Sequence, residues 1–246
     1  MLEGPIEDTR ACLAWVQSGG LDRELNRHGF AADLDRIASY GMSSGGSLAL
    51  CLGFDVPKPV RAVFAMCPTI MCGHPRWFMN VERMTRLPDM DPGFMERVYQ
   101  EKPVPVEGGV RLNGKWCPLK IIKEPWLDHR AAFMYAQLAR GKLLNVCYPK
   151  GVETVDFKPI DPYLNVTGDF PATCIAQGTA DTFVPVEAPQ GFVKKLQSVG
   201  VRSQLIEIPG AEHMFTATMK PVDMTYELQR QGFNFIQEVF GSGTEV

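Results

Sequence analysis

The sequence predicts an α/β fold built on a mostly parallel sheet flanked by helices, and three observations carry that expectation. Short apolar runs at about 36–41, 60–66, 172–177 and 204–208 read as strands. They alternate with helical stripes, the pattern of parallel strands joined by crossover helices. Val60-Arg61-Ala62-Val63-Phe64-Ala65-Met66 is short and mostly apolar, as strands are when a sheet is covered on both faces.

Pro5-Ile6-Glu7-Asp8 opens the first helix, since proline suits the first helical position and acids suit the positive end of the dipole. Ile6, Cys12, Leu13 and Val16 give its apolar stripe, and Gly19-Gly20 ends it. Arg36-Ile37-Ala38-Ser39-Tyr40 reads as a short buried strand leading through a turn into a helix at about 44–53. Pro57 and Pro59 mark the next loop. Residues from about 73 to 165 then break the rhythm and hold three of the four tryptophans, Trp77, Trp116 and Trp126. Helical patches fall at about 76–87, 92–101 and 126–140, and Asn113-Gly114 signals a tight hairpin. This stretch reads as a lid inserted into a single domain of residues 1–246. The alternation resumes with the strand ending at Gln177 and a helix over about 186–199 with Phe192, Val193 and Leu196 inward. After the strand at 204–208, Pro221 starts a last helix whose Met224, Leu228, Phe235, Ile236 and Val239 form one face.

The chain has 246 residues, 45% hydrophobic and 22% charged, enough for one sizeable domain. Net charge is -3 with scattered basic residues, which argues against a nucleic-acid partner. No apolar run approaches the roughly 20 residues of a membrane span. Met1-Leu2-Glu3-Gly4-Pro5 lacks the regions of a signal peptide, so a cytoplasmic location is expected. Seven cysteines (Cys12, Cys51, Cys67, Cys72, Cys117, Cys147, Cys174) include no C-x-x-C pair and read as reduced core residues. Neither metal nor cofactor is expected. Asn165-Val166-Thr167 is a formal glycosylation sequon that reads as an unmodified loop.

Gly41-Met42-Ser43-Ser44-Gly45-Gly46 carries the chemistry. A serine on a sharp strand-to-helix turn, with glycines two before and two after, has its hydroxyl lifted above the sheet and the first helical N–H groups aimed at the same point. Serine needs a histidine to take its proton and an acid to orient that histidine. Both should follow later strands at the same sheet edge. Asp181 lies just past the strand ending at Gln177, and His213 just past the one ending at Ile208. The order Ser43, Asp181, His213 suits this arrangement, and His28, His74 and His129 lack such placement.

With these residues, the chain from Pro5 onward resembles the C-terminal two-thirds of α/β-hydrolase-fold carboxylesterases and lipases of the hormone-sensitive-lipase-like (α/β-hydrolase fold-3) kind. The nucleophile box of that family commonly reads Gly-Asp-Ser-Ala-Gly-Gly, from which Met42 and Ser44 depart. Glu7-Asp8-Thr9-Arg10-Ala11-Cys12-Leu13-Ala14-Trp15-Val16 also resembles the helix before that box. The resemblance implies Ser43, Asp181 and His213 as a triad and the Ser44 N–H as an oxyanion donor.

The family's upstream His-Gly-Gly loop has no counterpart before Ser43, so an N-terminally truncated fold is expected. Losing one oxyanion donor costs about 2.7–4 kcal/mol. An apolar edge of the first strand would also be left for self-association or a partner chain. The leading function is hydrolysis of a small-molecule carboxylic ester through an acyl-enzyme. Trp77, Phe78, Met79, Met84, Phe94, Met95, Phe133 and Met134 in the lid suggest an apolar pocket, with no single substrate contact assigned. The alternative is an inactive hydrolase-like fragment or binding module.

Overall fold

The computed structural model of the chain describes residues 2–81, 90–100, 111–112, 115–116, 128–213, 215–216 and 219–241. Helix α1 (Glu3–Gln17) carries Glu3 in its first turn and buries Ile6 and Leu13 on one stripe. Gly19 stops it by adopting φ 80°, a left-handed value that costs glycine little. Gly20 does not belong to that stop; it begins a second short helix, α2 (Gly20–Leu25). Arg10 docks α1 onto the following segment, donating to the Phe54 carbonyl at 3.2 Å and lying over the Phe54 ring.

Strand β1 (Ala38–Met42) feeds through Ser43 into helix α3 (Ser44–Leu50), and β2 (Ala62–Met66) follows. Every residue of β2 is buried, whereas β1 is only half-buried and Tyr40 is 65% exposed. The expectation of a buried first strand is thus corrected. Its cause is position: β1 pairs with β2 alone among the described residues, so one of its flanks lacks a neighbour.

The chain divides into two compact units, one of Met1–Gly73 with Asp156–Val246 and one of His74–Val155. Within the second, α4 (Pro92–Met95) is capped by Asp91, whose Oδ2 accepts from Phe94 N at 2.6 Å. Strands β3 (Arg111–Leu112) and β4 (Lys115–Trp116) pair antiparallel, as the Asn-Gly signal predicts; positions 113 and 114 are outside the described residues. Helix α5 (His129–Ala139) starts at Asp128, whose Oδ1 accepts from Arg130 N and Ala131 N. It packs Ala132 and Ala136 with Met95, Phe94 and Phe133, while Phe78, Met79 and Met134 remain exposed. A short helix, α6 (Leu143–Cys147), went unpredicted. Of the patch at 76–87, Pro75–Phe78 forms one 3₁₀ turn, and residues 82–89, Met84 among them, are outside the described residues.

The first unit resumes with β5 (Ala172–Gly178), α7 (Glu187–Ser198), β6 (Ser203–Ile208) and α8 (Met224–Gly241). All four strands of its sheet run parallel, in the order β1-β2-β5-β6. Helix α7 buries Phe192, Val193 and Leu196 as expected. Helix α8 starts three residues after Pro221 and covers one sheet face with Phe235 and Val239. Phe64, Met66, Cys174, Ala176, Ile206 and Ile208 meet it, each large side chain contributing roughly 1.5–3 kcal/mol by burial. Gly232 lets the helix approach, because a Cβ there would overlap the Phe64 ring. Met224 is 62% exposed and leaves the apolar face assigned to it, since it opens the helix beyond the sheet contact.

A buried carboxyl ties two distant loops of this unit. Asp161 is 1% exposed and accepts from Met71 N (3.1 Å), Cys72 N (2.7 Å) and Tyr163 N (3.0 Å). Burial nevertheless holds its carboxyl above the usual range, with those N–H groups only partly offsetting it. The sequon residue Asn165 spends its amide nitrogen on the Asp161 carbonyl at 2.9 Å.

The cysteines divide by burial. Cys51, Cys67 and Cys174 lie in the core, and desolvation pushes each thiol up to about 12. Cys12 is exposed, against its reading as a core residue, because it falls on the outer side of α1. Alkylation of the native chain at pH 8, mapped by mass spectrometry, is expected to modify Cys12 and spare those three until denaturant is added.

Candidate active site

Ser43 sits between β1 and α3 with φ 56° and ψ −126°, a positive φ rare for serine and worth roughly 1–3 kcal/mol of strain. The turn is held by Ser43 N donating to the Met66 carbonyl at 2.8 Å, which continues the β1–β2 ladder. Its tightness requires the flanking glycines: a Cβ on Gly41 would overlap the Gly45 backbone, and one on Gly46 would press on the Gly41 and Met66 carbonyls. Ser44 is the first residue of α3, so its N–H has no intrahelical acceptor.

Two further loops leave the same ends of the parallel strands. Asp181 follows β5 and His213 follows β6, and both are buried. The loops are stitched together by Ala180 N on the Ala211 carbonyl (2.9 Å), Thr179 N on the Ile208 carbonyl (3.1 Å) and Gly210 N on Thr179 Oγ1 (2.9 Å). Gly178 permits this approach, since a Cβ there would strike the Ala211 carbonyl.

The three side chains form one hydrogen-bonded row. His213 Nε2 lies 2.8 Å from Ser43 Oγ, and His213 Nδ1 lies 2.8 Å from Asp181 Oδ2. An ionised Asp181 only accepts, so Nδ1 carries the proton and Nε2 is left to accept from the serine hydroxyl. Asp181 Oδ1 accepts from Phe183 N (2.8 Å) and Val184 N (2.9 Å), and Oδ2 also accepts from Gln177 Nε2 (2.9 Å). The Phe183 ring lies against His213, with centroids 5.1 Å apart. Such a row can move a proton from Ser43 through His213 while Asp181 steadies the resulting imidazolium.

Cys67, Asp181 and His213 also present atoms within 4.8 Å of one another, a set that could in principle hold a metal ion. The chemistry argues otherwise. Nδ1 and Oδ2 already satisfy each other, and burial next to Asp181 keeps the Cys67 thiol protonated, its Sγ donating to the His213 carbonyl at 3.2 Å. Of the other histidines, His74 Nδ1 accepts from Arg76 N and His129 lies against the Phe94 ring. His28 closes a 3₁₀ turn.

Sequence reasoning missed Gln177, Cys67 and Phe183 around this row. Gln177 left one signal, a polar residue directly after the apolar run Cys174-Ile175-Ala176; Cys67 left none, because its contact spans 146 positions.

The prolyl oligopeptidase family matches residues 132–243, a stretch that includes Asp181 and His213 but not Ser43. The chain is similar to a non-reducing polyketide synthase of Preussia isomera (24% identity, 96% of this chain, 11% of that protein). It is also similar to the 5-methylorsellinic acid synthase of Aspergillus terreus (25%, 96% and 10%). A non-reducing polyketide synthase of Aspergillus calidoustus is 33% identical over 87% of this chain and 10% of its own length. The chain thus spans about a tenth of the length of these curated relatives. Among solved structures, esterase 2 of Thermogutta terrifontis phosphonylated by sarin superposes with a TM-score of 0.54 at 17% identity, covering 95% of this chain and 65% of the esterase. The butyrate-bound esterase gives 0.52, also at 17% identity and with 95% and 65% covered. The chain has the α/β-hydrolase fold. Among the described residues, no helix is long and apolar enough to cross a membrane.

Proposed function

We propose that this chain hydrolyses carboxylic esters through Ser43, His213 and Asp181. The reading is carried by the 2.8 Å contacts on both nitrogens of His213, at the C-terminal ends of parallel strands. Ser43 Oγ attacks the acyl carbon as its proton passes to His213 Nε2. The Ser44 N–H, at the start of α3, donates to the carbonyl oxygen as negative charge develops on it. Collapse breaks the acyl–oxygen bond, and His213 returns the proton to the departing alcohol. Water, deprotonated by His213, then attacks the acyl-serine and releases the acid.

The synthase relatives favour a second reading, for one of them is named for an acid it makes. The same three side chains would release an acid from an acyl thioester in place of an oxygen ester, the leaving group differing and the acyl-enzyme being shared. Rates on a p-nitrophenyl ester, the thioester of the same acid and a prolyl peptide separate the readings. The first reading expects the oxygen ester to be fastest, the second the thioester; turnover of the peptide alone contradicts both.

A further inference from the structure

We propose that Gln177 is a positioning residue for the Asp181–His213 pair, setting that pair's hold on its proton through Asp181 Oδ2; this rests on the function proposed above. Gln177 is fully buried near the end of β5, after Cys174, Ile175 and Ala176. Its Nε2 donates to Asp181 Oδ2 and to the Val184 carbonyl, both at 2.9 Å. Two acceptors fix the amide's orientation, because turning it over would aim Oε1 at two oxygens that cannot donate. Among the described residues, none donates to Oε1 although it is buried. An orphaned buried oxygen is destabilising, so what the side chain supplies is its donors. Both of them go to the loop that carries Asp181.

Oδ2 is also the acceptor for His213 Nδ1, so one oxygen is shared between an amide and the imidazole. The amide N–H draws part of the negative charge and leaves less for the imidazolium. Without it, the carboxylate grips the histidine proton harder and His213 stays protonated to higher pH. Among the described residues, the row is also met by the Ser43 hydroxyl beyond β1, Cys67 beyond β2 and the Phe183 ring. Glu212, exposed, precedes His213 on its own loop. Cys67 carries no charge over the working range, since burial pushes its thiol up to about 12.

The test is an NMR titration of the His213 ring in the full chain, its resonance assigned by its loss in His213→Gln. In Gln177→Leu the midpoint is expected to rise by about one pH unit, and the acid limb of kcat/KM to move with it. Gln177→Met, close in length and without a donor, carries the test if the leucine variant fails to fold. It leaves Oδ2 without the amide N–H and is expected to shift the titration the same way. An unchanged His213 titration in a folded variant overturns the proposal. Because the ring is read on resting protein, a chain that fails to hydrolyse esters would contradict the proposed function and leave this result legible.

Discussion

His213→Gln is expected to lower kcat/KM for an activated ester by about 10⁴- to 10⁶-fold while the chain stays folded. The size follows from what the imidazole touches. Its two nitrogens link Ser43 Oγ to Asp181 Oδ2, each at 2.8 Å, and a glutamine reaching one of them cannot carry a proton between them. Stability is spared because the loop is held by backbone contacts from Ala180 and Thr179 that the side chain does not make. Asp181→Asn is the informative companion. It keeps an acceptor for Phe183 N and Val184 N, but its amide can donate to Nδ1 and hold the wrong tautomer. A loss near 10⁴-fold is expected. Steady-state kinetics beside thermal unfolding checks both variants.

Asp161→Ala carries the largest expected effect on stability, a loss of about 3–5 kcal/mol by denaturant unfolding. Three backbone N–H groups on two loops would lose their acceptor in a site that is 1% exposed. Asp161→Asn keeps one oxygen, which already serves Met71 N and Tyr163 N, and should lose roughly half as much. The pH dependence has a definite sign. Burial raises the folded carboxyl above its usual 3.8, so the folded chain takes up this proton more readily than the unfolded chain does. The stability it contributes is full below 3.8 and is lost as pH rises through the folded value. The gap between the parent and Asp161→Asn should therefore narrow as pH climbs out of the acid range.

Periodicity made much of this fold legible. Short apolar runs located all four strands of the main sheet to within two residues, and the helical stripe of α7 identified Phe192, Val193 and Leu196 as buried, though not Ala188 and Pro189. The three residues of the row were legible because each follows directly on an apolar strand, and parallel strands deliver their loops to one edge. What periodicity could not reach was pairing across long separations. Tyr40 sits in a strand-like run but is exposed, since only sheet order decides which strand stands at the edge. Met224 and Cys12 fit their stripes and fell outside, because a stripe does not say where its partner surface ends. Asp161 drew no reading from sequence, because its partners Met71 and Cys72 lie some 90 positions away. Gln177 acquires meaning only when the row is in view, for its role depends on an oxygen it shares with His213.

The central claim, that Ser43 is an activated nucleophile, is tested most directly by reacting the folded chain with a fluorophosphonate probe and locating the adduct by mass spectrometry. Stoichiometric labelling at Ser43, absent from Ser43→Ala and strongly slowed in His213→Gln, is the expected result. No adduct on well-folded protein, or labelling that persists in Ser43→Ala, would contradict it.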